Sequence, residues 1–160
     1  MTTAAATLSV EMPRKILIPA LVGGCVAATL DATSAFMTFG WGMPKAIAAG
    51  LLGTSAFQGG AGVWLLGLAL HFFILIVAAL LYGVASWRWS FLRVNYLVSG
   101  IYYGISIYLF MNLIVLPLSA LPMPERPFKA LGMVEGLLAH IVLVGLPIAA
   151  SFRLFSKPRE

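Results

Sequence analysis

Long apolar runs alternate along this chain with short polar or proline-rich connections. Four runs, at about 16–38, 61–86, 95–120 and 131–154, reach the ~20 residues that a helix needs to cross a ~30 Å hydrocarbon core. Between the first two lies MPKAIAAGLLGTSAF, which is too short to cross. Its Pro44 suits a first helical turn, and QGGAG at 58–62 separates it from the next run. The pattern predicts a short interfacial or re-entrant helix over 43–57. The other two connections, SWRWSFLR and PMPERPFK, are tight, and the prolines of the second cannot continue a helix. The expected fold is an all-α membrane protein, with one domain over 1–160 holding four transmembrane helices and the short extra helix.

Composition strengthens that reading. The chain is 61% hydrophobic and 9% charged with a mean hydropathy of +1.01, whereas soluble domains carry about 25% charged residues. So few charges cannot cover a globule in water, and the lipid bilayer is the expected surroundings. The net charge of +5 then bears on orientation and on affinity for anionic headgroups. No cluster of Lys and Arg with interleaved aromatics lies outside the spans, so nucleic acid is not expected as a partner. The single cysteine, Cys25, excludes an intrachain disulfide and a cysteine-based metal site. RKILIPALVGGC has the outline of a lipoprotein signal ending at Cys25. The apolar run continues through VAATLDATSAFMTF, however, so an uncleaved first span is the expectation.

With four spans, Arg14, Lys15, Arg88, Arg93, Arg153, Lys157 and Arg159 fall on one side and Lys45, Arg126 and Lys129 on the other. This imbalance predicts both termini in the cytoplasm. Trp87 and Trp89 then belong to the inner interface, Trp41 and Trp64 to the outer.

Five residues within the spans carry polar chemistry: Asp31, His71, Asn112, Glu135 and His140. Asp31 and Asn112 come late on outward-running spans, and the other three come early on inward-running ones. At ~1.5 Å per residue all five fall in the outer half of the bilayer. Small residues share their faces. Asp31 lies with Gly24, Ala27, Ala28, Ser34 and Ala35, and His71 with Gly67 and Ala78. Asn112 continues Gly100, Gly104 and Tyr108, and His140 continues Gly132 and Gly136. Small residues mark close helix approaches in membranes, so Gly100, Gly104, Gly132 and Gly136 are the predicted packing positions. Glu135, five residues before His140, departs from that face and is placed near the headgroups. Asn112 also suits the kink that Pro117 makes by denying Leu113 its helical donor. Asp31 needs a partner, for which His71 and His140 are at the right depth. The pair would be either an ionised carboxylate with a protonated imidazole or a neutral one. GLALH at 67–71 echoes GLLAH at 136–140, which suggests a duplicated helical hairpin.

The run from His71 through Ala79 and Tyr82, then Gly100, Gly104, Asn112 and LPLSAL, then His140, resembles the YagU-like family of bacterial inner-membrane proteins. The resemblance covers about residues 65–150. It implies the four-span topology and the polar layer, and it implies no reaction. The chain departs from the family pattern in its short first loop and in placing Glu135 five residues, not four, before the last His.

Three functions follow from these residues. The first is a bundle that binds or conducts a proton, ion or small polar solute through a pocket lined by Asp31, His71, Asn112, Glu135 and His140. The second is an accessory or scaffold subunit whose polar layer sets helix register. The third is a haem or metal protein with His71 and His140 as ligands, although no cofactor is the primary expectation. A homodimer through Gly100 and Gly104 would widen a thin bundle. Neither a nucleophile–base motif, a Walker loop nor a dinucleotide fingerprint occurs, so an enzyme is not expected. Acid–base catalysis by Asp31 with a histidine is the exception left open.

Overall fold

Alanines predominate in the interior, beside a few larger side chains such as Leu75, Tyr82, Ile148 and Phe152. In the computed structural model, which describes residues 2–121 and 130–156, Ala20, Ala27, Ala28, Ala32, Ala78, Ala79 and Ala149 are all buried. Leu17, Leu21, Phe73, Leu81 and Leu113 point outward. A soluble domain hides its large apolar residues; this arrangement is its inverse and matches helices packed against one another in lipid. Lys157 and Arg159 fall outside the described residues, as do Arg126 and Lys129.

The elements are all helical among the described residues. Helix α1 (Thr2–Phe39) turns through a short 3-10 segment into α2 (Met43–Leu52). After a second 3-10 segment, α3 (Ala61–Arg88) runs back, and α4 (Phe91–Val94) makes the turn. The third span is α5 (Tyr96–Phe110), a π-helical segment (Met111–Val115) and α6 (Leu116–Leu118). The fourth is α7 (Ala130–Ala139), a second π-helical segment (His140–Gly145) and α8 (Leu146–Phe155). Among the described residues four stretches are thus long and apolar enough to cross a membrane: Arg14–Gln58, which runs on through α2, Ala61–Arg88, Tyr96–Leu118 and Leu131–Phe155. Cys25 lies within α1 on an exposed face.

Helix α1 packs on α3 and on the fourth span, and α5 packs on the other side of the fourth span. Gly24 lets α1 approach the backbone of α3 at Ile76. Gly100 and Gly104 meet the backbone of the fourth span at Gly145, His140 and Ile141. Those two glycines are therefore covered by their own chain. Gly136 packs against the Tyr108 ring, but Gly132 is exposed and meets nothing within reach among the described residues, so those residues offer no partner for the packing role expected of it.

Between α3 and α5, long side chains bridge the gap. The Tyr103 hydroxyl donates to the Ala78 carbonyl at 2.6 Å. The hydroxyls of Tyr82 and Ser99 lie 2.8 Å apart, and both reach the Leu92 carbonyl, at 2.9 and 2.7 Å. Replacing Tyr82 with Phe is expected to lower stability by about 1 kcal/mol, the usual net value of such a bond. The unfolding midpoint in a detergent titration checks this, and an unchanged midpoint would show the network to be idle.

The two ends of the bundle differ. Trp41 and Trp64 cluster with Phe36 at the end that carries α2, and the Trp64 indole donates to the Trp41 carbonyl at 3.0 Å. Trp87 and Trp89 are exposed at the opposite end, where the described residues of both termini lie. Along α3, Trp64 and Trp87 are about 35 Å apart at ~1.5 Å per residue. That spacing places an aromatic belt at each face of a ~30 Å hydrocarbon layer.

Candidate functional site

Asp31, His71 and His140 line one cavity of about 80 Å³, together with Ile47, Ile74, Leu75, Ile107, Met111 and Val144. Each polar group sits well inside its span. Asp31 is eight residues from the end of α1, His71 ten residues into α3, and His140 ten residues past Ala130. At ~1.5 Å per residue these depths are about 12, 15 and 15 Å from the α2 end, so the three share one layer.

His71 is buried, and its Nε2 lies 3.1 Å from the Ala28 carbonyl. A carbonyl can only accept, so Nε2 carries the hydrogen and uses the second lone pair of a helical oxygen. The same Nε2 is 3.7 Å from Asp31 Oδ2, within ion-pair range when the imidazole is protonated. The Asp31 side chain is 18% exposed, and among the described residues it accepts no hydrogen bond from another side chain or amide. A carboxylate at this depth thus has one neighbour able to carry positive charge and an opening onto a cavity.

His140 reaches the cavity from the first residue of the second π segment. Its Nδ1 donates to the Gly136 carbonyl at 2.9 Å, and its ring meets Tyr108 edge-on with centroids 5.5 Å apart. The π turn has a cause further along the chain. Pro147 has no N–H and would press on the carbonyl four residues earlier; a wider turn relieves this. The wider turn shows in the bond from the Leu146 amide to the Ile141 carbonyl, five residues back. The third span repeats the device before Pro117, with the Leu116 amide bonded to the Met111 carbonyl. The kink expected at Pro117 is therefore taken up as a π turn. A single π turn inside a membrane helix often accompanies a functional site.

Two expected members are not in the cavity. Asn112 donates to the Tyr108 carbonyl of its own helix at 2.8 Å, and Met111 is the residue that faces the cavity instead. Glu135 is exposed. Five residues at about 100° each turn it ~140° away from His140, which removes it from the shared face. Ile47 and Met111 could not be found from polarity, since both look like ordinary lipid-facing residues in the sequence.

Ile47 belongs to α2, which is packed into the bundle end rather than lying on its rim. The Pro44 backbone rests on Gly67, two turns inside α3, and Met43, Pro44, Ala48 and Ala49 are buried. The Ala120 amide donates to the Gly50 carbonyl at 2.8 Å, tying α2 to the end of the third span. Helix α2 therefore covers the nearer side of the cavity.

No group of three or more His, Cys, Asp or Glu side chains able to hold a metal ion occurs among the described residues. About 80 Å³ is also far below the ~300–1,000 Å³ of typical cofactor pockets, so a haem between His71 and His140 would need the helices to part. The space suits a few waters or a small ion. These features define the class as an all-α protein with four helices able to span a membrane and an ionisable cavity between them. No family model, curated protein or solved structure matches the chain.

Proposed function

We propose that this protein binds and passes a proton or a small cation through the Asp31–His71–His140 cavity. The observation that supports the reading is the Asp31 carboxylate, set about 12 Å deep, 3.7 Å from a buried imidazole and bordering a cavity with room for water. Intramembrane carboxylates are costly to insert and are usually kept where charge is bound or moved. The setting would be a bacterial inner membrane, as the YagU-like resemblance implies, with both termini cytoplasmic, as the Lys and Arg distribution favours, so the cavity would lie towards the outer face. A YagU-like relationship is consistent with this reading and does not extend it.

A second reading has its own support. His71 bonds a main-chain carbonyl of the facing helix, as a residue that only fixes helix register would, while His140 and Asn112 are bonded to carbonyls of their own helices. In that case the chain is a scaffold or accessory subunit. Proteoliposomes containing a pH-sensitive dye and driven by a potassium diffusion potential separate the two. The proposal expects proton entry above that of protein-free vesicles, and a loss of about 100-fold or more in Asp31→Asn at unchanged folded yield. Flux in the parent no faster than in empty vesicles, or equal flux in Asp31→Asn, would favour the scaffold.

A further inference from the structure

A second cavity, of about 420 Å³, opens at the terminal end of the bundle. It shares no residue with the Asp31 site. Its walls are Lys15 and Ile16 from α1, Gly83, Ser86 and Trp87 from α3, Arg93 from α4, and Phe152, Phe155 and Ser156 from the end of the fourth span. Two cations thus come together from α1 and α4, segments far apart in the chain.

Arg93 is held in place: its Nη1 donates to the Ser86 carbonyl, across the turn between α3 and α4. A guanidinium has five N–H donors, so one such bond orients the group and leaves a fork for an oxyanion. The opposite wall is apolar and aromatic, with Phe152 buried and Trp87 and Phe155 half-exposed. A cavity that is cationic on one side and greasy on the other matches an amphiphile with an anionic head. Its level matches too, because Trp87 and Arg88 end α3 there, at the depth where headgroups meet the hydrocarbon. Basic pockets between helix ends are a known way of holding phosphate headgroups.

We propose that this cavity binds a phosphate-bearing anion, with the phosphate at Lys15 and Arg93 and any acyl chain along Phe152 and Phe155. The source is either a membrane phospholipid or a soluble phosphate ester, and one experiment distinguishes them. Full-length protein in neutral detergent is titrated with equimolar phosphatidylglycerol and phosphatidylcholine of the same chains, and adducts are counted by native mass spectrometry. Phosphatidylglycerol should exceed phosphatidylcholine several-fold. Lys15→Gln, and Ser156→Glu, which sets a like charge in the wall, should each cut the anionic adduct about fivefold, as expected for about one surface charge. Both positions are exposed, so neither change threatens the fold in the way Arg93→Gln would. Displacement of phosphatidylglycerol by glycerol phosphate would support the site and assign it to a soluble ester. Equal adducts of the two lipids, or variants that bind like the parent, would overturn the proposal.

Discussion

Gly104→Ala is expected to destabilise the bundle by about 2 kcal/mol or more, although it adds one methyl group and improves helix propensity by up to ~1 kcal/mol. The added Cβ would sit 2.5 Å from the Ile141 Cα, 2.6 Å from the His140 carbonyl oxygen and 2.9 Å from its carbon. These are main-chain atoms, so no rotamer change can make room and the helices themselves must part. Gly145, on the facing helix, is just as tight against the Gly104 backbone: a methyl added there would lie 2.6 Å from the Gly104 nitrogen. Separating the helices at this point loses contacts along a whole interface in a protein whose association in lipid depends on packing. Gly132→Ala is the matched control: the same chemical change at an exposed position with open space around it. It should be neutral or slightly stabilising. Detergent-titrated unfolding by circular dichroism measures both. Equal midpoints for the two variants would mean that the Gly104 contact does not hold the third and fourth spans together. Because the His140 carbonyl is one of the displaced atoms, Gly104→Ala should also reduce proton flux in whatever fraction stays folded.

That pair of glycines also shows how far the sequence can be read. Small residues at helical spacing do mark the packed face of the third span, where Gly100 and Gly104 meet main chain. Applied to the start of the fourth span, the same rule fails at Gly132, because a small residue permits a close approach without supplying a partner. Apolar length predicts the spans well, since the bilayer sets it. Depth along a helix follows from counting residues, which is why Asp31, His71 and His140 could be placed in one layer. Angular position is less secure: a five-residue offset removes Glu135, and Met111, one turn on from Ile107, faces the cavity rather than Asn112. Leu-Pro in each of the last two spans signals a break in the bonding ladder, but not that a wider turn will absorb it. Helix α2 is the least legible part, because its seat depends on Pro44 finding Gly67 across the chain. In the sequence Lys15 and Arg93 are only charges that orient the protein, and only the folded chain brings them into one cavity.

His71→Leu should cost about 2–3 kcal/mol, and adding Asp31→Asn should recover most of that loss. Leucine fills similar space but cannot donate to the Ala28 carbonyl, and it removes the side chain that lies within ion-pair range of Asp31. Breaking a fully buried ion pair by removing one partner costs ~3–5 kcal/mol. Asp31 keeps 18% exposure and borders a cavity, which places the expected value lower in that range or beneath it. Asp31→Asn alone removes the charge and leaves the His71–Ala28 bond intact, so its effect on stability should be small. In the double variant no carboxylate remains to be compensated, and only the bond to Ala28 is lost. The cycle should therefore give a coupling energy of about 1–3 kcal/mol. Additive effects would show that His71 acts through Ala28 alone and that the 3.7 Å approach to Asp31 carries no energy. The same variants bear on why the carboxylate is there. If Asp31→Asn folds as well as the parent but stops proton flux, stability does not require the charge, and conduction does. If it folds as well and the parent passes no protons, Asp31 has neither role and the scaffold reading rests on His71, which bonds across to Ala28.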